Sequence, residues 1–222
     1  ARANPGRFTY PAPPDFTGSV FVREALINIS GGVDEVPAQF DQDSYDRLAP
    51  ALFDRLNELA PSLWREGTTY PQSSSELDAL YSGGQVDMTM TYGPATLPKL
   101  VADGTFPPET RVLTLDEGTV GNASFLAIPS TSGKSAAAQV VANLALSPEQ
   151  QLAKATPDVW GQFTALDIAR LTPEERAQFE QLPSSPVVPS YEVISANAHP
   201  ELSAEWVTPL DEGWRRSVLA GQ

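Results

Sequence analysis

The chain has no cysteine among its 222 residues. That excludes disulfides, thiolate metal sites and a cysteine nucleophile. It has one histidine, His199, which argues against zinc sites built on several histidines and against Ser-His-Asp catalysis. His199 stands in Asn197-Ala198-His199-Pro200 and reads as a solvent-facing loop residue. No apolar run approaches the roughly 18 residues a membrane span needs. The longest such stretch, 136–146, is short and is broken by Gln139 and Asn143. Basic residues are scarce, 14 against 28 acidic ones, for a net charge of -14. A chain of that sign repels phosphate backbones and anionic membrane surfaces at long range. Arg215-Arg216 is too little to build a basic patch, so nucleic acid is not expected as a partner. The opening Ala1-Arg2-Ala3-Asn4 is no signal peptide. An exported parent would have lost its signal, and more of its length with it.

What is present is 41% hydrophobic residues, enough for one large domain or two small lobes. Residues 1–18 are rich in Pro and Gly, with Arg7 to Tyr10 as a short strand before the prolines stop it. Phe16 to Ile29 places Phe21, Val22, Ala25, Leu26 and Ile29 at helical spacing. Asp15, Thr17 or Ser19 can cap that helix, and Gly31-Gly32 ends it. Asp41 to Leu59 is helical, interrupted or restarted near Pro50. Ser73 followed by Glu76 forms a capping box for a helix from Ser74 to Tyr81. Val86 to Thr91 alternates like a half-buried strand, closed by Tyr92-Gly93-Pro94. A short helix follows over 95–101. Val112 to Leu115 and Ser124 to Ile128 read as strands, separated by a turn at Asp116-Glu117-Gly118. Helices are expected over 134–146, after Ser147-Pro148, and after Thr172-Pro173. Trp206, Leu210, Trp214 and Val218 recur at spacings of four in a terminal amphipathic helix. The mixture of helices and short strands predicts an α/β fold.

Ser130-Thr131-Ser132-Gly133-Lys134-Ser135 has the look of a phosphate loop between a strand and a helix. That motif needs a glycine five places before Gly133, where Ile128 stands, so it reads as a polar helix start with an exposed lysine. Asp41/Asp43 and Glu174/Glu175 lack the apolar surroundings that raise a carboxyl pKa for acid catalysis. Asp41, Asp43 and Asp46 lack calcium-loop spacing. No catalytic constellation, metal site or cofactor is expected.

Binding residues are the better candidates. Asp15, Phe16, Thr17, Gly18 and Ser19 lie where a strand and a Pro-rich turn meet a helix, a corner of N–H groups, hydroxyls and a ring. Ordinary capping is the competing explanation. Thr91 and Tyr92 end a strand, where α/β folds bind ligands. Ser74 sits in a run of serines that serve as caps first and ligand donors second. Asn122 and Ser124 lie in a tight crossing segment, and Trp160 lines a cleft or anchors packing.

The order of motifs adds a resemblance. Gly6-Arg7-Phe8-Thr9-Tyr10-Pro11-Ala12-Pro13-Pro14-Asp15-Phe16-Thr17-Gly18 with Phe21-Val22 resembles the start of the second lobe in a family of bacterial extracellular solute-binding proteins. Members are described as periplasmic components of uncharacterised, thiamine-like ABC transport systems. Ser82-Gly83-Gly84-Gln85-Val86-Asp87-Met88 with Tyr92 resembles its helix, glycine turn and strand. Gly118-Thr119 with Phe125-Leu126-Ala127-Ile128-Pro129 resembles its return strand. Ala138, Val141-Ala142-Asn143-Leu144 and Leu146-Ser147-Pro148-Glu149-Gln150 resemble a helix and signature of solute-binding proteins generally, and Trp160-Gly161, Glu201, Trp206 and Trp214 also fit. The likeness runs over nearly the whole chain.

The resemblance implies a periplasmic-binding-protein-like (class II) α/β fold of two lobes, one of them incomplete. Residues 1–115 would form the second lobe and 116–150 a return to the first, whose first half would precede Ala1. Residues 151–222 would pack across both as helices. It implies capture of a small organic solute, such as a sugar, a polyamine or a thiamine-like cation, for delivery to an ABC permease. The location would be periplasmic or extracellular, with room for a lipid anchor in the parent protein. Iron-binding relatives use adjacent tyrosines, and Tyr92 alone argues against iron. Apolar surface left by an incomplete lobe would favour self-association. The competing class is a non-catalytic interaction or structural domain with no small-molecule site.

Overall fold

A computed structural model describes the chain except residues 93–95, 116, 117, 122, 197, 221 and 222. It is 51% helical. The helices are α1 (Phe16–Ser30), α2 (Gln42–Leu59), α3 (Ser74–Ser82), α4 (Leu97–Ala102), α5 (Ser135–Ala145), α6 (Pro148–Ala155), α7 (Pro173–Glu180), α8 (Tyr191–Ser195) and α9 (Val207–Trp214). Among the described residues one sheet forms, from β1 (Thr119–Val120) and β2 (Ala198–His199), parallel, with Thr119 opposite Ala198. The expected two-lobed class II α/β fold is therefore overturned.

The reason lies in the backbone hydrogen bonds. Of the expected strands, 7–10, 86–91, 112–115 and 124–128 form no ladder. Their extended backbone makes scattered single bonds instead. Asp87 N donates to Arg7 O, Trp64 N to Phe8 O, Ala12 N to Pro71 O, and Val112 N to Val187 O, all at 2.8–2.9 Å. Alternating polarity makes a segment able to form a strand, but a sheet also requires a neighbouring edge in register. The expected turn at 116–118, the chain around Gly93-Pro94 and Ala95 lie wholly or partly outside the described residues.

Local signals for helices translate directly. The Asp15 carboxylate caps α1 and Gly31, with φ of 98°, ends it. Thr172 and Glu175 close a reciprocal capping box on α7. At α3 the box is rearranged: Ser73 Oγ accepts from Glu76 N, while Glu76 Oε2 accepts from Gln72 N at 2.6 Å. Against expectation, α2 runs unbroken through Pro50. Pro50 is exposed, while Ala49, Leu52, Phe53 and Leu56 are buried on the other side. That burial outweighs a proline penalty of about 3 kcal/mol.

The chain divides into two compact units. The first comprises Ala1–Thr91, Thr114–Gly121 and Asn197–Gln222. Its core gathers Val22, Leu26 and Ile27 of α1, Leu52 and Leu56 of α2, and the terminal stripe Trp206, Leu210, Trp214 and Val218. Spacings of four drift around an α-helix, but Arg215–Leu219 is wound as a wider π turn, which keeps Val218 buried. Gly213 lets α9 approach α2. A Cβ there would lie 2.5 Å from the Phe53 ring and from Tyr45 Oη. The indole N–H of Trp214 donates to Tyr10 Oη at 3.0 Å, and that of Trp206 to Pro37 O at 3.0 Å. Both large rings are thus buried with their polar atoms satisfied. The exposed Arg7 guanidinium donates to Gly84 O and Asp87 Oδ1, fastening the first extended segment to the turn after α3. It holds the Asp87 carboxyl below its ordinary pKa.

The second unit comprises Tyr92–Leu113 and Asn122–Ala196. Here Leu97, Phe106 and Val187 are buried. Gln151 of α6 is a polar anchor. Its Nε2 donates to Ala145 O at 2.7 Å, and its Oε1 accepts from Ala165 N at 2.9 Å.

Candidate functional site

At the start of α1, Asp15 Oδ1 accepts from Thr17 N at 3.0 Å and Gly18 N at 3.2 Å. Ser19 N donates to Asp15 O at 2.8 Å. The N–H donors of this corner are thus engaged by Asp15 itself. Phe16 is exposed, while Thr17 and Ser19 are buried. Gly18 is required by packing, because a Cβ there would come within 2.1 Å of Pro11 O.

Below this corner lies a buried polar cluster. Ser19 Oγ is 2.7–2.8 Å from both carboxylate oxygens of Asp211 on α9. One turn along α1, Arg23 is 3% exposed and pairs with Glu201. Its Nε and Nη1 have no hydrogen-bond partner. Beside it, Glu24 Oε2 accepts from Val120 N at 3.1 Å, and Glu24 Oε1 lies 3.5 Å from His199 Nε2. Burial pushes the Asp211 carboxyl above its ordinary pKa, against the opposing pull of the Ser19 hydroxyl and the Arg23 charge. His199 is 7% exposed, which corrects its reading as a solvent-facing loop residue. Its short strand β2 pairs with β1 and turns the ring inward. The cluster fastens α1 to the C-terminal segment, and its hydroxyl and carboxylate are sealed from solvent.

The first unit opens instead at a turn that carries no sequence motif. Arg65 and Glu66 adopt left-handed backbone with φ of 52° and 58°, followed by Gly67 at 69°. Left-handed backbone at a residue other than glycine costs on the order of 1 kcal/mol or more. It is held by bonds on both sides. Trp64 N donates to Phe8 O, Glu66 N to Leu63 O, and Thr68 Oγ1 to Arg65 O. Strain kept in place by its surroundings concentrates at functional sites. The turn stacks the Arg65 guanidinium over the Trp64 ring, 4.2 Å from its centroid. The pair borders a cavity of about 380 Å³ lined also by Tyr70, Gln72, Glu76 and Leu80. It is an open surface hollow rather than an enclosed cavity. A larger hollow of about 570 Å³ beside Asn28 and Asp54 is a groove whose Arg55 and Glu58 pair with each other, leaving less charge for a ligand. The smaller hollow offers a cation, the Trp64 ring, an amide and a carboxylate without a nucleophile beside a base, while Tyr70 at its floor is buried in the core.

No family model matches this chain, and no solved structure matches it. It is similar to Protein YnjB of Escherichia coli (strain K12), 36% identical over 214 residues. The match covers 96% of this chain and 53% of that protein, so the chain spans about half the length of the curated relative it matches.

The candidate binding residues are distributed as follows. Asp15, Phe16, Thr17, Gly18 and Ser19 form one corner of the first unit, and Ser74 opens α3 there, half-buried, two residues from Glu76 of the cavity. Thr91, in the first unit, is exposed. Tyr92, Ser124 and Trp160 belong to the second unit, and all three are exposed. Lys154 Nζ lies 5.8 Å from the Trp160 ring. Asn122 lies outside the described residues. Trp64 and Arg65 escaped the sequence reading because a left-handed pair without glycine has no compositional signal. Arg23 was within reach, since it shares the buried helical face of Val22, Leu26 and Ile27. Among the described residues no group of His, Asp and Glu could hold a metal ion, and no helix is long and apolar enough to cross a membrane.

Proposed function

We propose that this chain binds a small organic solute without altering it and serves as the solute-capturing component of an ABC importer. The strained Arg65-Glu66 turn, which stacks Arg65 over Trp64 beside the 380 Å³ hollow, carries the reading. A binding site uses preorganised contacts, and a turn held in a costly conformation supplies one. The guanidinium and the Trp64 ring suit a solute with a flat or ring portion and polar edges, such as a sugar or a thiamine-like compound. The ordered resemblance to solute-binding proteins supports the transport role. In that role the protein works outside the cytoplasmic membrane and hands its solute to a membrane permease. No bond is made or broken.

A thermal-shift screen with sugars, amino acids, polyamines, thiamine and oxyanions tests the proposal. The expected result is selective stabilisation by one class, reduced at least tenfold in affinity by Arg65→Ala or Trp64→Ala. No response to any of these solutes, or a response insensitive to both substitutions, would overturn it. The exposed apolar side chains of the second unit favour a second reading, a protein-interaction domain. Stabilisation by a purified protein partner in place of solutes would support that one.

A further inference from the structure

Two charged side chains line the hollow beside the strained turn, Arg65 and Glu76. They are not equally available to a ligand. Glu76 Oε2 accepts from Gln72 N at 2.6 Å, and Glu76 N donates to Ser73 Oγ at the start of α3. The carboxylate is thus folded back on its own chain, where a helix N-terminus favours negative charge. Arg65 is exposed. Among the described residues its guanidinium makes no ion pair, although the chain has 28 acidic residues.

The contact Arg65 does make is with the Trp64 ring, 4.2 Å from the centroid. A guanidinium lying over a ring uses its face and leaves its N–H edges free in its own plane. Those donors form a planar fork that matches the two oxygens of a carboxylate. The left-handed backbone at Arg65, with φ of 52°, and the bond from Thr68 Oγ1 to Arg65 O fix the root of the side chain. Less freedom is then lost when a ligand is held. The open charge of the hollow is therefore positive, in a chain whose net charge is -14. A second negative charge on a ligand would meet Glu76 and the acidic surface around it.

We propose, resting on the reading that this hollow binds solute, that the solute is a monoanion. It is a small ring compound with one carboxylate, which Arg65 holds through paired N–H donors with the ring beside Trp64. This narrows the solutes considered above to acidic ones, sugar acids over sugars and ring carboxylates over cations.

Calorimetric titration of the whole chain with two matched sets tests this. One set is glucuronate, glucose and glucosamine, and the other is nicotinate, nicotinamide and quinolinate. In at least one set the monocarboxylate should bind about tenfold or more tighter than its neutral, cationic or dianionic counterparts. Arg65→Gln should abolish that preference. Arg65→Lys, which keeps the charge and loses the fork, should retain part of it. Melting curves of both variants without solute should match the parent, because the replaced side chain is exposed. A tighter neutral, cationic or dianionic member would overturn the inference, as would a preference that survives Arg65→Gln. So would silence from both monocarboxylates while another solute of the wider screen binds and Trp64→Ala weakens it. Silence from every solute of that screen would instead overturn the binding reading itself.

Discussion

In the first unit Tyr10, Trp206 and Trp214 are wholly buried, and the two indole N–H groups have partners. In the second unit Phe125, Val140, Val141 and Trp160 are mostly exposed, and α5 buries none of its described side chains. Both regions have comparable apolar material, so composition does not separate them. The first unit brings several elements onto shared apolar faces, so each ring finds neighbours within the chain. The second sets out helices joined by long irregular segments, and its apolar side chains lack such neighbours. The difference teaches that the exposed apolar residues of the second unit are features to be explained by contacts beyond the described residues.

The largest test of the contrast is Trp214→Ala, which should destabilise the first unit by about 3–5 kcal/mol in denaturant melts. The equivalent change at exposed Trp160 should cost well under half as much. Next comes Gly18→Ala. A helical glycine replaced by alanine ordinarily gains up to about 1 kcal/mol, but the collision with Pro11 O should reverse the sign, for a net loss of about 1–3 kcal/mol. The same replacement at Gly133, with nothing near its added Cβ, should be close to neutral in the same melts.

Asp211 gives a pH test. Its folded-state pKa lies above the ordinary 3.8, so the protonated carboxyl favours the folded state. That contribution is complete below the unfolded value and lost as pH rises through the folded one. Wild-type stability relative to Asp211→Asn should therefore decline with rising pH in a window just above 3.8. Parallel curves would show that Asp211 is not held out of water. A smaller effect is expected at Glu66→Gly, which relieves left-handed strain and should raise stability by no more than about 1 kcal/mol. A loss there would mean that the turn is unstrained. Smallest of all, Val141→Asp should leave monomer stability within about 0.5 kcal/mol, because nothing in the folded chain covers that side chain.

Much of the helical content was legible. Asp15, Ser73, Ser147 and Thr172 announced helix starts, and the terminal Trp-Leu-Trp-Val stripe announced a buried face. These signals act within a few residues, through caps and periodicity, and so survive whatever the rest of the chain does. The sheet was not legible. Val86 to Thr91 and Ser124 to Ile128 have strand-like patterns, yet whether a strand forms depends on an edge presented by a distant segment. The candidate site was legible in part. The Asp15 to Ser19 corner was located with Asp15 among its possible caps, and the structure resolves it as a cap; Trp64 and Arg65 at the turn were not located.

The sequence by itself determined the acidic, cysteine-free character, the helix boundaries and the apolar faces, because each follows from residue chemistry at short range. Tertiary structure alone decided that Pro50 stays in a continuous helix, that His199 lies inside, that Gly18 admits no side chain, and that Arg65 turns left-handed over Trp64. Each of these depends on groups tens of residues away or on local costs that distant packing outweighs, and no window along the chain contains both sides of that balance.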